Sequence, residues 1–232
     1  MESLKELHPI ALEEMNKRFS PTPLTLKYPF PKRPARTLGL LEFDGRIFTS
    51  EKFARVVMLK VTPPFFVKAS STFLRPRVEL GLPFFDAELV IFGKRRMFMV
   101  DIQRPGDLTW DGDDALYDRL LQIREKYPEL LKKSIKIKGE IQSVFSKAAC
   151  QVMLSEKLDG QAIGIFRDFF HEYLDLVEKS KPLSGDALER AKQAFQQYAD
   201  KVVTHDPGVK AFTLFFGKKE GMGRTEEIFF AQ

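Results

Sequence analysis

The sequence predicts an α/β fold in which a central antiparallel sheet lies between two layers of helices, a three-layer α/β/α sandwich. Short segments rich in Val, Ile and Phe, separated by turn residues, fill residues 37–103. Apolar residues at helical spacing occur before and after this region. The last two predicted strands, 86–92 and 96–103, are nearly apolar on both faces, which is typical of a sheet that is covered on both sides.

Length and composition favour one domain that spans residues 1–232. A chain of 232 residues with 44% hydrophobic residues can bury a substantial core and is too apolar to be disordered. Its 22 Phe residues suit a thick core, a flat hydrophobic ligand, or both. Within this domain we expect an N-terminal helix and a Pro-rich linker in residues 1–36, the sheet in 37–103 and a mainly helical part in 104–232.

The net charge of +5 suits a basic face for an acidic partner or for a ligand with carboxylates, and no recognised motif indicates nucleic-acid binding. The single cysteine, Cys150, excludes an internal disulfide and a structural zinc site, and it favours a reducing compartment. No apolar run approaches the ~20 residues that cross a membrane, and the N-terminus resembles neither a signal peptide nor a transit peptide. We expect a cytoplasmic monomer without membrane or nucleic-acid partners, or a stromal one lacking its transit peptide if the source is a photosynthetic eukaryote.

The individual elements follow from spacing and breakers. Residues 2–19 predict a helix with a kink at Pro9, and prolines at positions 21, 23, 29, 31 and 34 predict an extended tether after it. The predicted strands are 37–43, 53–61, 65–73, 86–92 and 96–103, with a tight hairpin at Gly93-Lys94-Arg95. The predicted helices are 113–126, 128–134, 161–178 and a further one that Ser184 caps, while residues 141–154 are ambiguous between the helical and the strand period.

Cofactor motifs are missing from the sequence. Neither GxGxxG nor GxxxxGK[ST] occurs, so a nucleotide cofactor is unsupported. His8, His171 and His205 lie too far apart to suggest a metal motif. We therefore expect no bound cofactor and no metal, and any catalysis would depend on carboxylates and a pocket.

Two carboxylates stand out. Glu88 lies within the apolar strand Leu82-Pro-Phe-Phe-Asp-Ala-Glu-Leu-Val, where a charge is costly unless it is paired or functional. Desolvation would raise its pKa, as a proton donor at neutral pH requires. Asp206 precedes Pro207, which is the pattern of a helix N-cap and could be purely structural.

The order of five motifs resembles the ferredoxin-dependent bilin reductases and, more distantly, red chlorophyll catabolite reductase. These motifs are Leu82 to Val90, Gly93, Val100-Asp101, Asp206-Pro207 and Phe216-Gly217, and the resemblance covers roughly residues 37–217. It implies an α/β/α sandwich that binds a linear tetrapyrrole between the sheet and the C-terminal helices, without flavin, metal or nicotinamide. Reduced ferredoxin, an acidic partner, would supply single electrons.

The resemblance also implies a reaction and a set of site residues. Biliverdin IXα would be reduced to a phytobilin by sequential electron and proton transfers through radical intermediates. Glu88 falls on the family's strand carboxylate and Asp206 on its second acid, so both are expected to be catalytic. The residues that we expect to contact the substrate are Arg75, Arg77, Ser146, Phe92 and Phe212.

The chain departs from the family pattern at positions that leave alternatives open. A Glu and a His found on neighbouring strands of some members are missing near Leu59 and at Ala69 to Ser71, and Met153 replaces an Arg that helps to hold a propionate. The product and the number of electrons therefore stay open. Glu at position 88 favours red chlorophyll catabolite as the substrate, and the missing pair would suit a non-catalytic tetrapyrrole carrier. The basic clusters 94–96 and 132–138 are either solvated surface or a ferredoxin-docking face.

Overall fold

One antiparallel sheet of seven strands runs through the part of the chain that the computed structural model describes, which is residues 4, 7–27, 34–62, 67–106, 108 and 113–231. Each strand pairs with the next one along the chain. The strands are β1 (Thr22–Pro23), β2 (Glu42–Thr49), β3 (Phe53–Thr62), β4 (Val67–Pro76), β5 (Phe84–Phe92), β6 (Arg95–Gln103) and β7 (Cys150–Ser155).

Seven α-helices surround the sheet in the same part of the chain. They are α1 (Leu7–Phe19), α2 (Asp113–Glu125), α3 (Pro128–Leu131), α4 (Asp159–Lys179), α5 (Gly185–His205), α6 (Pro207–Phe216) and α7 (Lys218–Thr225). A π-helical turn, Glu226–Phe230, follows α7, and we call it the C-terminal turn. Short 3₁₀ turns occur at Ala35–Thr37, Val78–Leu80, Glu140–Val144 and Glu156–Leu158.

The two faces of the sheet carry separate hydrophobic clusters. In β3, Val56 and Met58 pack with α1, α2 and α4, whereas Val57 and Leu59 pack with α5, α6 and the C-terminal turn. This division follows from the alternation of side chains along a strand. Helices therefore cover both faces, and the predicted three-layer α/β/α sandwich is confirmed.

Most predicted elements agree with the structure, to within three residues at each end for β3 to β6, α2 and α4, and α5 begins directly after Ser184 as predicted. The predicted hairpin is confirmed, because Phe92 pairs with Arg95 across a two-residue turn in which Gly93 has a φ of 57°. Pro9 lies in the first turn of α1, where its missing N–H removes no intrahelical bond. Pro23 belongs to the edge strand β1, while the predictions for Pro29, Pro31 and residues 65–66 fall outside the described residues.

The predicted strand 37–43 is wrong. Leu38 and Gly39 adopt left-handed conformations with φ of 51° and 72°, which interrupts an extended chain, and β2 begins only at Glu42. The predicted helix 128–134 ends at Leu131, and the segment that follows it pairs with β7 through Ser134 and Val152.

The ambiguous region 141–154 contains most of the turn Glu140–Val144 and most of β7, so the mainly helical part of the chain also supplies a strand. Ser184 stands at the N-cap of α5 as predicted, but its side chain makes no capping hydrogen bond.

Candidate active site

A cavity of about 540 Å³ lies between the sheet and the layer formed by α5, α6 and the C-terminal turn. Its volume is in the range of small-molecule binding sites. The wall is mainly apolar, and its phenylalanines are Phe73, Phe145, Phe212, Phe215, Phe229 and Phe230. The abundant phenylalanine thus serves two purposes, because other rings, such as the stacked pair Phe166 and Phe170, belong to the core on the opposite face.

Three carboxyl groups enter this apolar wall. Asp86 and Glu88 come from β5, and Asp206 comes from the junction between α5 and α6. Asp86 and Glu88 are two residues apart on one strand, so their side chains lie on the same face of the sheet. All three side chains are half-buried. Their exposed parts border the cavity.

Glu88 has the properties of a proton donor. Burial raises the pKa of its carboxyl well above the usual value, and the negative charge of Asp86 adds to the shift. A hydrogen bond with Ser71 on β4 opposes the shift without cancelling it. Burial and the neighbouring charge therefore both favour the protonated form of the carboxyl.

Asp206 is a helix cap and a cavity residue at once. Its Oδ1 accepts hydrogen bonds from the backbone N–H groups of Gly208 (2.6 Å) and Val209 (3.2 Å), at the start of α6. These bonds and the charge of Lys210 favour the ionised form, but burial outweighs them and raises the pKa of Asp206. The structural role expected of the N-cap is confirmed, and the group also reaches the cavity.

Asp86 is a cavity acid that the sequence analysis did not single out. Its Oδ2 accepts a hydrogen bond from Gln103 Nε2 (2.9 Å), and the Tyr198 hydroxyl donates to Gln103 Oε1. Burial, with the charges of Asp206 and Asp101 as smaller causes, raises the pKa of Asp86 to about 8. The signal was present in the sequence, since two acids two positions apart in an apolar strand must share one face.

Asp101 is a structural acid that holds the loop before β7. It is fully buried and accepts hydrogen bonds from the backbone N–H and the hydroxyl of Ser146, as well as from the N–H of Ile102. Ser146 is thereby directed to Asp101, and the cavity wall is formed by the preceding residues Val144 and Phe145. The expected contact between Ser146 and substrate is not supported.

The two candidate arginines also lie outside the cavity wall. Arg75 is 2% exposed, donates to the carbonyl oxygen of Ala231 through Nη2 and lies 4.9 Å from the centre of the Phe195 ring. Arg77 donates to the carbonyl oxygens of Ser50 and Glu51. Both guanidinium groups are engaged with the backbone, so the structure does not support the expected contacts with substrate carboxylates.

Phe92 does not reach the cavity wall either, because it ends β5 and is 44% exposed. Phe212, on α6, is the one expected substrate contact that the structure places in the wall. Of the seven expected site residues, the fold therefore brings together Glu88, Asp206 and Phe212.

The positions that lack the expected Glu and His do line the cavity, as Leu59 and Ala69 to Ser71. A histidine nevertheless approaches this place from the opposite layer. His8 of α1 bonds through Nε2 to the carbonyl oxygen of Ser71 (2.9 Å) and to the hydroxyl of Ser70 (3.0 Å). Burial lowers the pKa of His8 to about 4, so it is a neutral packing residue at neutral pH.

Among the residues that the structure describes, no group of three or more His, Cys, Asp or Glu side chains is arranged to hold a metal ion. In the same part of the chain, no helix is both long and apolar enough to span a bilayer.

The sequence model of a family described as ferredoxin-dependent bilin reductase matches residues 13–230. The chain belongs to this family. The resemblance inferred from the motifs is therefore confirmed.

Two phycoerythrobilin:ferredoxin oxidoreductases are among those relatives. The chain is 26% identical to that of Parasynechococcus marenigrum over 152 residues, which is 63% of this chain and 58% of the relative. It is 27% identical to that of Gloeobacter violaceus over 156 residues, or 62% of this chain and 60% of the relative. The matched region thus spans about three fifths of the length of these relatives.

The fold is similar to that of phytochromobilin synthase from tomato, whose crystal structure is a complex with biliverdin. The TM-score is 0.83 at 21% sequence identity, over 96% of this chain and 81% of the tomato protein. At this identity the match establishes a common fold.

Proposed function

We propose that this bilin reductase family member reduces biliverdin IXα to a phytobilin with electrons from reduced ferredoxin. The observation that carries the proposal is an apolar cavity, in a chain of this family, whose carboxyl groups have raised pKa values. A raised pKa favours the protonated acid, which is the form that a reaction with repeated proton transfers needs. The alternative of a passive carrier gives no reason for three costly acids in one pocket.

The shape and lining of the cavity suit a flat conjugated ligand. The rings of Phe212, Phe215 and Phe229 offer flat apolar surface, and the volume of about 540 Å³ is adequate for a large organic molecule. The tomato protein with the same fold binds biliverdin, which supports a linear tetrapyrrole as the ligand.

The proposed chemistry is a two-electron, two-proton reduction in two rounds. One electron from ferredoxin gives a bilin radical anion, and a cavity acid protonates it to a neutral radical. A second electron and a second proton complete the saturated C–C unit. Each electron raises the basicity of the conjugated system, and the positioned acid then determines where the proton binds. Glu88 on the sheet and Asp206 on the helical layer are the two proposed donors.

Ferredoxin is proposed to dock beside the cavity on exposed basic side chains. Lys136 and Lys138 flank Ile137, which lines the cavity, and both lysines are exposed. Arg96 is not available for docking, because it is buried and pairs with Asp159 (3.0 Å). We therefore restrict the proposed docking face to Lys94, Arg95, Lys133, Lys136 and Lys138.

The test is an anaerobic reaction that is followed by absorbance. We expect biliverdin IXα to change its spectrum on binding, and reduced ferredoxin then to produce blue-shifted products. Glu88→Gln and Asp206→Asn should each slow the conversion by roughly 10²-fold or more while the bound spectrum is retained. Matched controls are Glu13→Gln and Asp118→Asn, which alter exposed carboxylates in the opposite layer and should react at the wild-type rate.

The alternatives predict different results. A bound spectrum that reductant leaves unchanged would contradict the reductase and indicate a carrier. Failure to bind biliverdin would exclude it as the substrate, and red chlorophyll catabolite, which Glu at position 88 favours, would be tried next.

A further inference from the structure

The steps proposed above leave one polar corner of the cavity unused, the one formed by Asp86, Gln103 and Tyr198. The Tyr198 hydroxyl donates to Gln103 Oε1, so the amide nitrogen of Gln103 must face Asp86, to which it donates at 2.9 Å. Tyr198 thus orients Gln103, and Gln103 in turn holds the Asp86 carboxyl in one orientation. A group that is held in this way at a cavity wall is preorganised to act on a ligand.

Asp86 and Glu88 present two acids to a single ligand. Positions two residues apart on a strand are separated by about 6.6 Å along it, with both side chains on the same face. The interior strand β5 carries both residues, and both line the cavity. A flat tetrapyrrole lying against this face would therefore meet the two acids at different atoms of its conjugated chain.

We propose that Asp86 is a second proton donor on the sheet side, and that competition between Asp86 and Glu88 determines which double bond of the tetrapyrrole is reduced. This inference rests on the proposed function. After one electron passes from ferredoxin to the bilin, the O–H bond of Asp86 breaks and a bond to hydrogen forms on the bilin, leaving the Asp86 carboxylate. A second electron from ferredoxin and a proton from Asp206 complete the reduction, and Asp86 and Asp206 each regain a proton from water.

The charges around Asp86 support a protonated donor. Glu88 faces it from the same strand, Asp101 from β6, Tyr198 from α5 and Asp206 from the start of α6. These neighbours are acids, so ionisation of Asp86 is opposed by burial and by like charge, which raises its pKa to about 8. The hydrogen bond from Gln103 opposes this shift only partly.

The experiment is chromatography of the products that purified protein forms from biliverdin IXα with reduced ferredoxin. Asp86→Asn preserves the shape of the side chain and an oxygen that can accept from Gln103, but it cannot donate an acidic proton. We expect the ratio of product isomers to change about tenfold or more relative to wild type, and Glu88→Gln to change it in the opposite direction. Asp86→Glu should restore part of the wild-type ratio.

Gln103→Met is a second variant that leaves both acids in place and removes the group that orients Asp86. It should shift the isomer ratio in the same direction as Asp86→Asn, while Asp118→Asn should leave the ratio unchanged. An unchanged ratio in both Asp86→Asn and Gln103→Met, with active wild-type protein, would overturn this inference alone. A wild-type protein that reduces no tetrapyrrole would overturn the proposed function and this inference with it.

Discussion

The guanidinium of Arg75 donates a hydrogen bond of 2.5 Å to the backbone carbonyl of Ala231, and so joins the middle of the sheet to the end of the C-terminal turn. The two residues are 156 positions apart in the chain. The turn contributes Phe229 and Phe230 to the cavity wall, so Arg75 stabilises the cavity without lining it.

Arg75→Leu should loosen the C-terminal turn. A hydrogen bond from a charged donor contributes about 1.5–3 kcal/mol, so protection of the amides of residues 226–231 against hydrogen exchange should fall roughly tenfold or more. Arg77→Leu is the matched control, because Arg77 also donates to backbone carbonyls but contacts Ser50 and Glu51 instead. Equal protection in both variants would show that the turn does not depend on the hydrogen bond from Arg75.

Two glycines of α7 should respond in opposite ways to alanine. A Cβ atom at Gly221 would lie 2.7 Å from the carbonyl oxygen of Phe212, and the backbone of α6 would have to move. Gly221→Ala should therefore destabilise the protein by about 1–3 kcal/mol and weaken biliverdin binding. Gly223 has open space around it, and Gly223→Ala should stabilise the helix by roughly 0.5–1 kcal/mol. Urea denaturation measures the free energy of unfolding of both variants. A loss of stability in Gly223→Ala would contradict the prediction that the space around Gly223 accepts a methyl group.

Reversal of charge at Lys136 and Lys138 should impair electron delivery. The double variant with Glu at both positions should lower kcat/KM for ferredoxin about tenfold or more at low ionic strength, and the difference from wild type should shrink at high salt. Biliverdin binding should be unchanged. Lys179 and Lys181, at and just beyond the end of α4, provide the control double variant. A similar loss of rate in the control would indicate a non-specific effect of net charge.

His8 should make stability depend on pH between about 6.5 and 4. Its pKa in the folded state, about 4, lies below that in the unfolded state, so the unfolded state binds more protons in this range. The free energy of unfolding therefore decreases as the pH falls. Relative to His8→Gln, the wild type should lose roughly 3 kcal/mol between pH 7 and pH 4. His171→Gln, at an exposed histidine of α4, is the control, and a parallel pH dependence in wild type and His8→Gln would refute the prediction.

The central strands could be predicted because the local pattern of apolar and polar residues specifies them. An apolar strand with a polar residue on one side, such as Ala87 to Phe92, specifies its period and its burial together. The start of β2 could not be predicted, since Leu38 and Gly39 leave the extended conformation in a segment that is otherwise rich in apolar residues. β7 was missed as a strand because its pattern fits both periods, and its pairing with β6 depends on residues about 50 positions earlier.

Site residues could be predicted where the local sequence alone marks them as unusual. They could not be predicted where their role depends on hydrogen-bond partners far away in the chain. Glu88 conflicts with its apolar neighbours, and Asp206 matches a family motif, so both were found. Arg75 gave no indication that its partner would be a backbone carbonyl near the C-terminus. Asp86 is oriented by distant partners. Gln103, which donates to it, lies 17 positions later in the chain, and Tyr198, which orients Gln103, lies a further 95 positions on.

The strand order β1 to β7 has a consequence for folding during synthesis on the ribosome. Neighbouring strands are also neighbours along the chain, so the sheet can assemble from hairpins before α5, α6 and the C-terminal turn have been synthesised. Until those last segments dock, the apolar floor of the cavity is uncovered, and the nascent chain is open to aggregation. Under the proposed function, biliverdin that binds only the closed form would favour docking by mass action and would stabilise the folded protein.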